Sequence, residues 1–101
     1  MEYSVALTVN SALAPVGLSS AQLAALPASC GFVIVSAPDT NPNAGPVYVS
    51  VAGAAPTQAN ALRGAPVEPS NYEGIKVYGN PAQLWFATNA TNPVVLIRVV
   101  V

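Results

Sequence analysis

The chain has no histidine, one cysteine, and only three basic and four acidic residues in 101 positions. Each shortage closes off a class of function. Without histidine there is no side chain whose ordinary titration falls between about pH 5 and 8, so acid–base catalysis would rest on carboxylates or lysines tuned by burial. The whole ionisable acid and base set is Glu2, Asp39, Glu68, Glu73, Arg63, Lys76 and Arg98. The cations are scattered along the chain, so no basic patch can neutralise a row of phosphates, and nucleic-acid binding is not expected. Cys30 cannot form an intramolecular disulfide, and it lacks the histidine or second thiol that a nucleophile or metal site needs. It reads as a small buried hydrophobe.

Long apolar runs are also missing. No stretch approaches the ~18 residues of a membrane span, since the strongest candidate, Val94 to Val101, is interrupted by Arg98. Leu26-Pro27-Ala28-Ser29-Cys30 has the outline of a lipoprotein cleavage site. Pro27, however, stands where an aliphatic residue belongs, and Glu2 stands where a basic leader would begin, so a signal peptide is not expected.

What the chain has in quantity is valine, with 15 copies, alanine, with 18, and ten prolines with seven glycines. Branching at Cβ stiffens valine in favour of strands, while proline and glycine cut the chain into short segments that exclude long helices. The expected fold is all-β: one domain over residues 1–101, a β-sandwich or jelly roll of about seven or eight short antiparallel strands with at most one helical turn.

The segments can be placed individually. Tyr3, Val5, Leu7 and Val9 alternate with Glu2, Ser4, Ala6 and Thr8, as in a half-buried strand. Ser19 and Gln22 have the spacing of a capping box, so Ser19 to Leu26 is either a short helical turn ended by Pro27 or an extended loop. Phe32-Val33-Ile34-Val35 suits a strand buried on both faces. The turn-rich Pro38 to Pro46 then leads into Val47 to Val51, which together read as a hairpin with a long exposed tip. Gly53 to Asn60 reads as a loop and Leu62 to Val67 as a short edge strand limited by Pro66. Glu73 to Tyr78 places Ile75 and Val77 inward and Lys76 and Tyr78 outward. Leu84 to Ala87 follows, and Val94 to Val101 closes the domain. That last strand is nearly uncharged, so it must be central in a sheet or paired with another chain.

The possible chemical motifs are weak. Glu68 and Glu73 read as solvated loop carboxylates rather than a glycosidase pair, because nothing fixes their separation. Asp39, Asn41 and Asn43 present alternating oxygens, but Pro42 intervenes and no bidentate glutamate follows at calcium-loop spacing. Tyr72, Tyr78, Trp85 and Phe86 suit a core or an intersubunit contact better than a carbohydrate-stacking platform. Asn89-Ala90-Thr91 matches the glycosylation pattern and reads as turn chemistry. No catalytic residue, cofactor or metal site is expected.

Phe32-Val33-Ile34-Val35, Asn43-Ala44-Gly45-Pro46-Val47-Tyr48-Val49, Leu62-Arg63-Gly64, Leu84-Trp85-Phe86-Ala87 and the valine-rich terminus form a series over roughly residues 30 to 101. It resembles small all-β virion proteins of tailed bacteriophages, and among them capsid decoration or cement proteins. Where many of these carry a Leu-x-Pro-Gly turn, this chain reads Leu62-Arg63-Gly64-Ala65-Pro66. The resemblance implies a non-enzymatic protein made in the host cytoplasm and seated on the head exterior, with the major capsid protein as its partner. A head–tail or fibre-associated module and a carbohydrate-binding module are the alternatives. The weakly charged surface further suggests a homo-oligomer, with a trimer favoured.

With no histidine to titrate, the melting temperature should stay within a few degrees between about pH 6 and pH 8. Thermal unfolding followed by circular dichroism across that range checks this, and a larger shift would expose a strongly perturbed carboxylate or Cys30.

Overall fold

The computed structural model describes residues 2–9, 15–27, 31–37, 46–69, 71–89 and 94–100. Cys30, Asp39, Asn41 and Asn43, with most of the expected exposed tip, lie outside the described residues. Among the described residues there are seven strands: β1 (Glu2–Thr8), β2 (Phe32–Ala37), β3 (Val47–Val51), β4 (Ala65–Val67), β5 (Asn71–Tyr78), β6 (Leu84–Ala87) and β7 (Val94–Val100). They form two antiparallel sheets, ordered β1-β7-β2-β5 and β4-β3-β6.

Val16 adds a rudimentary eighth strand. Its N–H donates to the Phe86 carbonyl and its carbonyl accepts from the Phe86 N–H, both at 2.9 Å, so it lies antiparallel beside β6. Counted second in chain order, it makes one sheet first, eighth, third, sixth and the other second, seventh, fourth, fifth. This is jelly-roll order, two interlocked Greek keys, as the sequence rhythm suggests.

The sheets meet over a valine-rich core. Val33, Val35, Val95 and Ile97 from one sheet and Val47, Val49, Leu84 and Phe86 from the other form one buried cluster. Burying each such side chain contributes roughly 1.5 to 3 kcal/mol. Tyr3, Val5 and Leu7 of β1 pack against this cluster while Ser4, Ala6 and Thr8 are exposed, which is the expected alternation.

Three expectations are corrected. Val33 and Val35 are buried, but Phe32 and Ile34 are only half-buried, because a two-layer sandwich gives each sheet a single inner face. The segments around Pro38 to Pro46 are not the arms of a hairpin. β2 pairs with β5 and β7, whereas β3 pairs with β4 and β6, so this connection crosses between layers. The single helical turn becomes three short ones: α1 (Ser20–Ala24), α2 (Gln58–Ala61) and a 3-10 turn at Pro81–Gln83.

Local chemistry explains the helices. Ser19 Oγ accepts from the Gln22 N–H at 3.2 Å, and Gln22 Oε1 accepts from the Ser19 N–H at 2.8 Å, completing the capping box. Thr57 Oγ1 accepts from the Asn60 N–H at 3.3 Å and starts α2 inside the expected loop. Leu62, Arg63 and Gly64 then close that helix, leaving only Ala65–Val67 as strand. Gly64 is required there, because a Cβ would fall on the Val49 carbonyl group, with its carbon only 2.8 Å away.

Ile97 faces the core at 0% exposure while Ser4 on the neighbouring strand faces out. Ile97→Ala should therefore lower stability by about 2 to 5 kcal/mol, and Ser4→Ala should change it by no more than about 0.5 kcal/mol. Urea denaturation of the two variants checks the register of β7.

Candidate interaction surface

Among the described residues the ionisable side chains do not converge on one site. Glu68 is exposed in the turn after β4, where its carbonyl accepts from the Asn71 N–H at 3.2 Å. Glu73 is exposed on β5, and Arg98 Nη2 donates to its backbone carbonyl at 2.9 Å. Lys76 Nζ stands 4.2 Å from the Phe32 ring centroid and 5.8 Å from that of Tyr78, so its nearest described attraction is to aromatic faces. Arg63 is exposed at the exit of α2. Among the described residues no three histidine, cysteine, aspartate or glutamate side chains gather as metal ligands would.

The four aromatics weighed as a stacking platform are dispersed by the fold. Phe86 is wholly buried in the core. Trp85 points the other way from the same strand and is half-buried. Its Nε1–H donates to the Ala52 carbonyl at 3.1 Å, and its ring edge lies 3.2 Å from where a Cβ on Gly17 would sit. Only Tyr72 and Tyr78 remain strongly exposed, and both belong to β5.

An aromatic that pattern reading had placed inside joins them. Phe32 lies directly opposite Tyr78 in the β2–β5 ladder, the rings meeting edge to face at 6.3 Å and 63°. With Lys76 over Phe32, this makes a mixed aromatic and cationic patch on the outer face of the four-stranded sheet. The signal was present in the sequence: a strict period of two along Phe32-Val33-Ile34-Val35 separates an outward Phe32 and Ile34 from an inward Val33 and Val35.

A second feature is an open groove of about 450 Å³ between α1 and the 3-10 turn, lined by Ser20, Leu23, Ala24, Pro27, Pro81 and Ala82. None of these six side chains titrates, so the groove offers shape and apolar surface but no acid, base or charge. Asn89 is exposed after β6, and the rest of its glycosylation pattern, Ala90 and Thr91, lies outside the described residues.

Comparison with protein-family models, with curated proteins and with solved structures gives no match to this chain. The functional reading therefore rests on the molecule's own geometry. That geometry exposes a β5 rim carrying Tyr72, Lys76 and Tyr78, while Trp85 on the opposite sheet is engaged by its own fold.

Because the Trp85 indole N–H has a main-chain partner, Trp85→Phe should cost stability of about 0.5 to 1.5 kcal/mol, the worth of one hydrogen bond. Tyr78→Ala, on the exposed rim, should cost less. Thermal denaturation of the two variants distinguishes a structural Trp85 from an exposed ligand platform.

Proposed function

We propose that this protein is a non-enzymatic structural component of a bacteriophage particle, a capsid decoration protein that bridges neighbouring subunits on the head exterior. The observation that carries the reading is the jelly-roll strand order built around an almost uncharged sandwich. Jelly rolls recur in capsid architecture, and this one pairs that order with a sequence resembling small virion proteins. The inference from fold to role is by analogy, and the dispersal of the ionisable side chains adds to it.

The mechanism is mass action. A module that binds the assembled lattice but not loose subunits lowers the free energy of the assembled state by RT ln(1 + [L]/Kd). Binding across a junction uses apolar contact and backbone pairing, because the few charges are spread out and each exposed ion pair contributes only about 0 to 1 kcal/mol.

Jelly rolls also include lectin domains, and the exposed Tyr78 beside Lys76 favours carbohydrate binding as the second reading. A glycan array run with Tyr78→Ala as the control separates the two readings. Trp85→Ala is the poorer control, because it also removes the bond to Ala52.

Added to undecorated heads of the phage that encodes it, the chain should be seen at fixed lattice positions by electron microscopy. Occupancy should survive moderate salt, and neutralising Arg63 or Lys76 should matter little. Random attachment, or release by moderate salt, would count against the proposal.

A further inference from the structure

We propose that the outer face of the four-stranded sheet binds a saccharide carrying a carboxylate, its sugar ring stacked on Tyr78 and its acid group held by Lys76. This rests on the carbohydrate reading above and is independent of attachment to a particle. Register brings the parts together. Ile34 stands opposite Lys76 on one side and opposite Arg98 on the other, and Phe32, two residues back along β2, stands opposite Tyr78. Strand alternation puts these five residues on one face, since Val33, Val35, Val77, Ile97 and Val99 beside them all turn to the core.

Tyr78 has the most exposed large hydrophobic side chain among the described residues, at 70%. The Phe32 ring meets it edge to face at 6.3 Å and 63°, and Lys76 Nζ stands 5.8 Å from its centroid. The ring is therefore positioned by its neighbours before a ligand arrives, which lowers the ordering cost of binding.

Charge selects an acidic ligand. Lys76 and Arg98 share this face, and they are two of the three cations in the chain. β7 and β5 lie two strand spacings apart, roughly 10 Å, and Arg98 spans them across β2 to place Nη2 2.9 Å from the Glu73 carbonyl. The described attractions of Lys76 are to two rings, that of Phe32 at 4.2 Å and that of Tyr78. An exposed ammonium held on aromatic faces gains a stronger, charge-assisted bond when a carboxylate arrives. Glu73 is the one acid on β5, and Glu2 begins β1 at the far edge of the sheet. Two cations against Glu73 leave the patch positive in a chain whose net charge is −1.

Shape selects a sugar over an acidic peptide. A peptide side chain is best anchored in a recess, and the apolar groove lies elsewhere, between α1 and the 3-10 turn. A pyranose offers a flat C–H face with a hydroxyl rim, which suits a tyrosine whose ring is apolar and whose hydroxyl stays wet. One ammonium beside one ring fits one carboxylate per sugar, as in a uronic acid.

The test titrates the full chain with trigalacturonate and with its fully methyl-esterified form, which keeps the rings and loses the charge, while amide shifts are followed by NMR. The acid should shift amides around Phe32, Lys76 and Tyr78, and its binding should weaken as salt rises. The ester should bind about tenfold or more weakly, and Lys76→Gln should abolish the difference between the two. Tyr78→Ala should weaken both by about tenfold, whereas Arg63→Gln, beside the other sheet, should change neither. The shift map of the unmodified chain decides the matter should a variant fail to fold. Equal, Tyr78-dependent binding of acid and ester overturns the acidic ligand and leaves the carbohydrate reading standing. Binding of neither also overturns it, and the glycan array then decides whether the carbohydrate reading falls as well. Triglutamate binding as tightly as trigalacturonate, or shifts centred elsewhere, overturns it too.

Discussion

Everything in this fold depends on β7 lying between β1 and β2. The last strand pairs with the first over its full length, Tyr3 opposite Val99, Val5 opposite Ile97 and Leu7 opposite Val95, and on its other side with β2. All six of those side chains face the core, so a slip of one residue would turn the apolar set to solvent. The pairing closes nearly the whole chain into one loop. That is entropically costly and is offset only when the two sheets bury their valines together. It also resolves the hazard of a long uncharged terminal strand, which is central in its sheet and leaves no free edge.

With so few charges, the molecule cannot rely on the lysines and glutamates that blunt sheet edges in many β proteins. It uses uncharged devices: a glutamine on a short helix against β1, one bridging residue beside β6, and a proline in β4. Lys76, the one cation on β5, lies against Phe32. Most of the described sheet borders are thus met within the chain.

The polar groups tell the same story. Gln22, Thr57, Gln58, Asn71 and Trp85 direct their hydrogen bonds to the main chain, where they cap helices, tie loops to strands and hold the β5 bulge at Gly74. Arg98 spends one of its donors on the Glu73 carbonyl across the sheet. Side chains used in this way organise backbone.

Local pattern was enough for what depends on neighbours along the chain. The alternation of Tyr3, Val5 and Leu7, the capping box at Ser19, the inward Ile75 and Val77, and the strand at Leu84 to Ala87 all follow from period, capping and turn chemistry, and so does the all-β class. The absence of histidine and the scarcity of charge were equally legible. Partnership between distant segments was not legible. A turn-rich connector such as 38–46 serves a hairpin or a crossing between layers equally well, and only the pairing of β2 with β5 and β7 separates the two. Likewise Phe32, Trp85 and Phe86 are apolar in sequence, but which of them faces core, main chain or solvent depends on which sheet face is covered. Periodicity supplies two faces to every strand, and only packing in three dimensions chooses which one meets water.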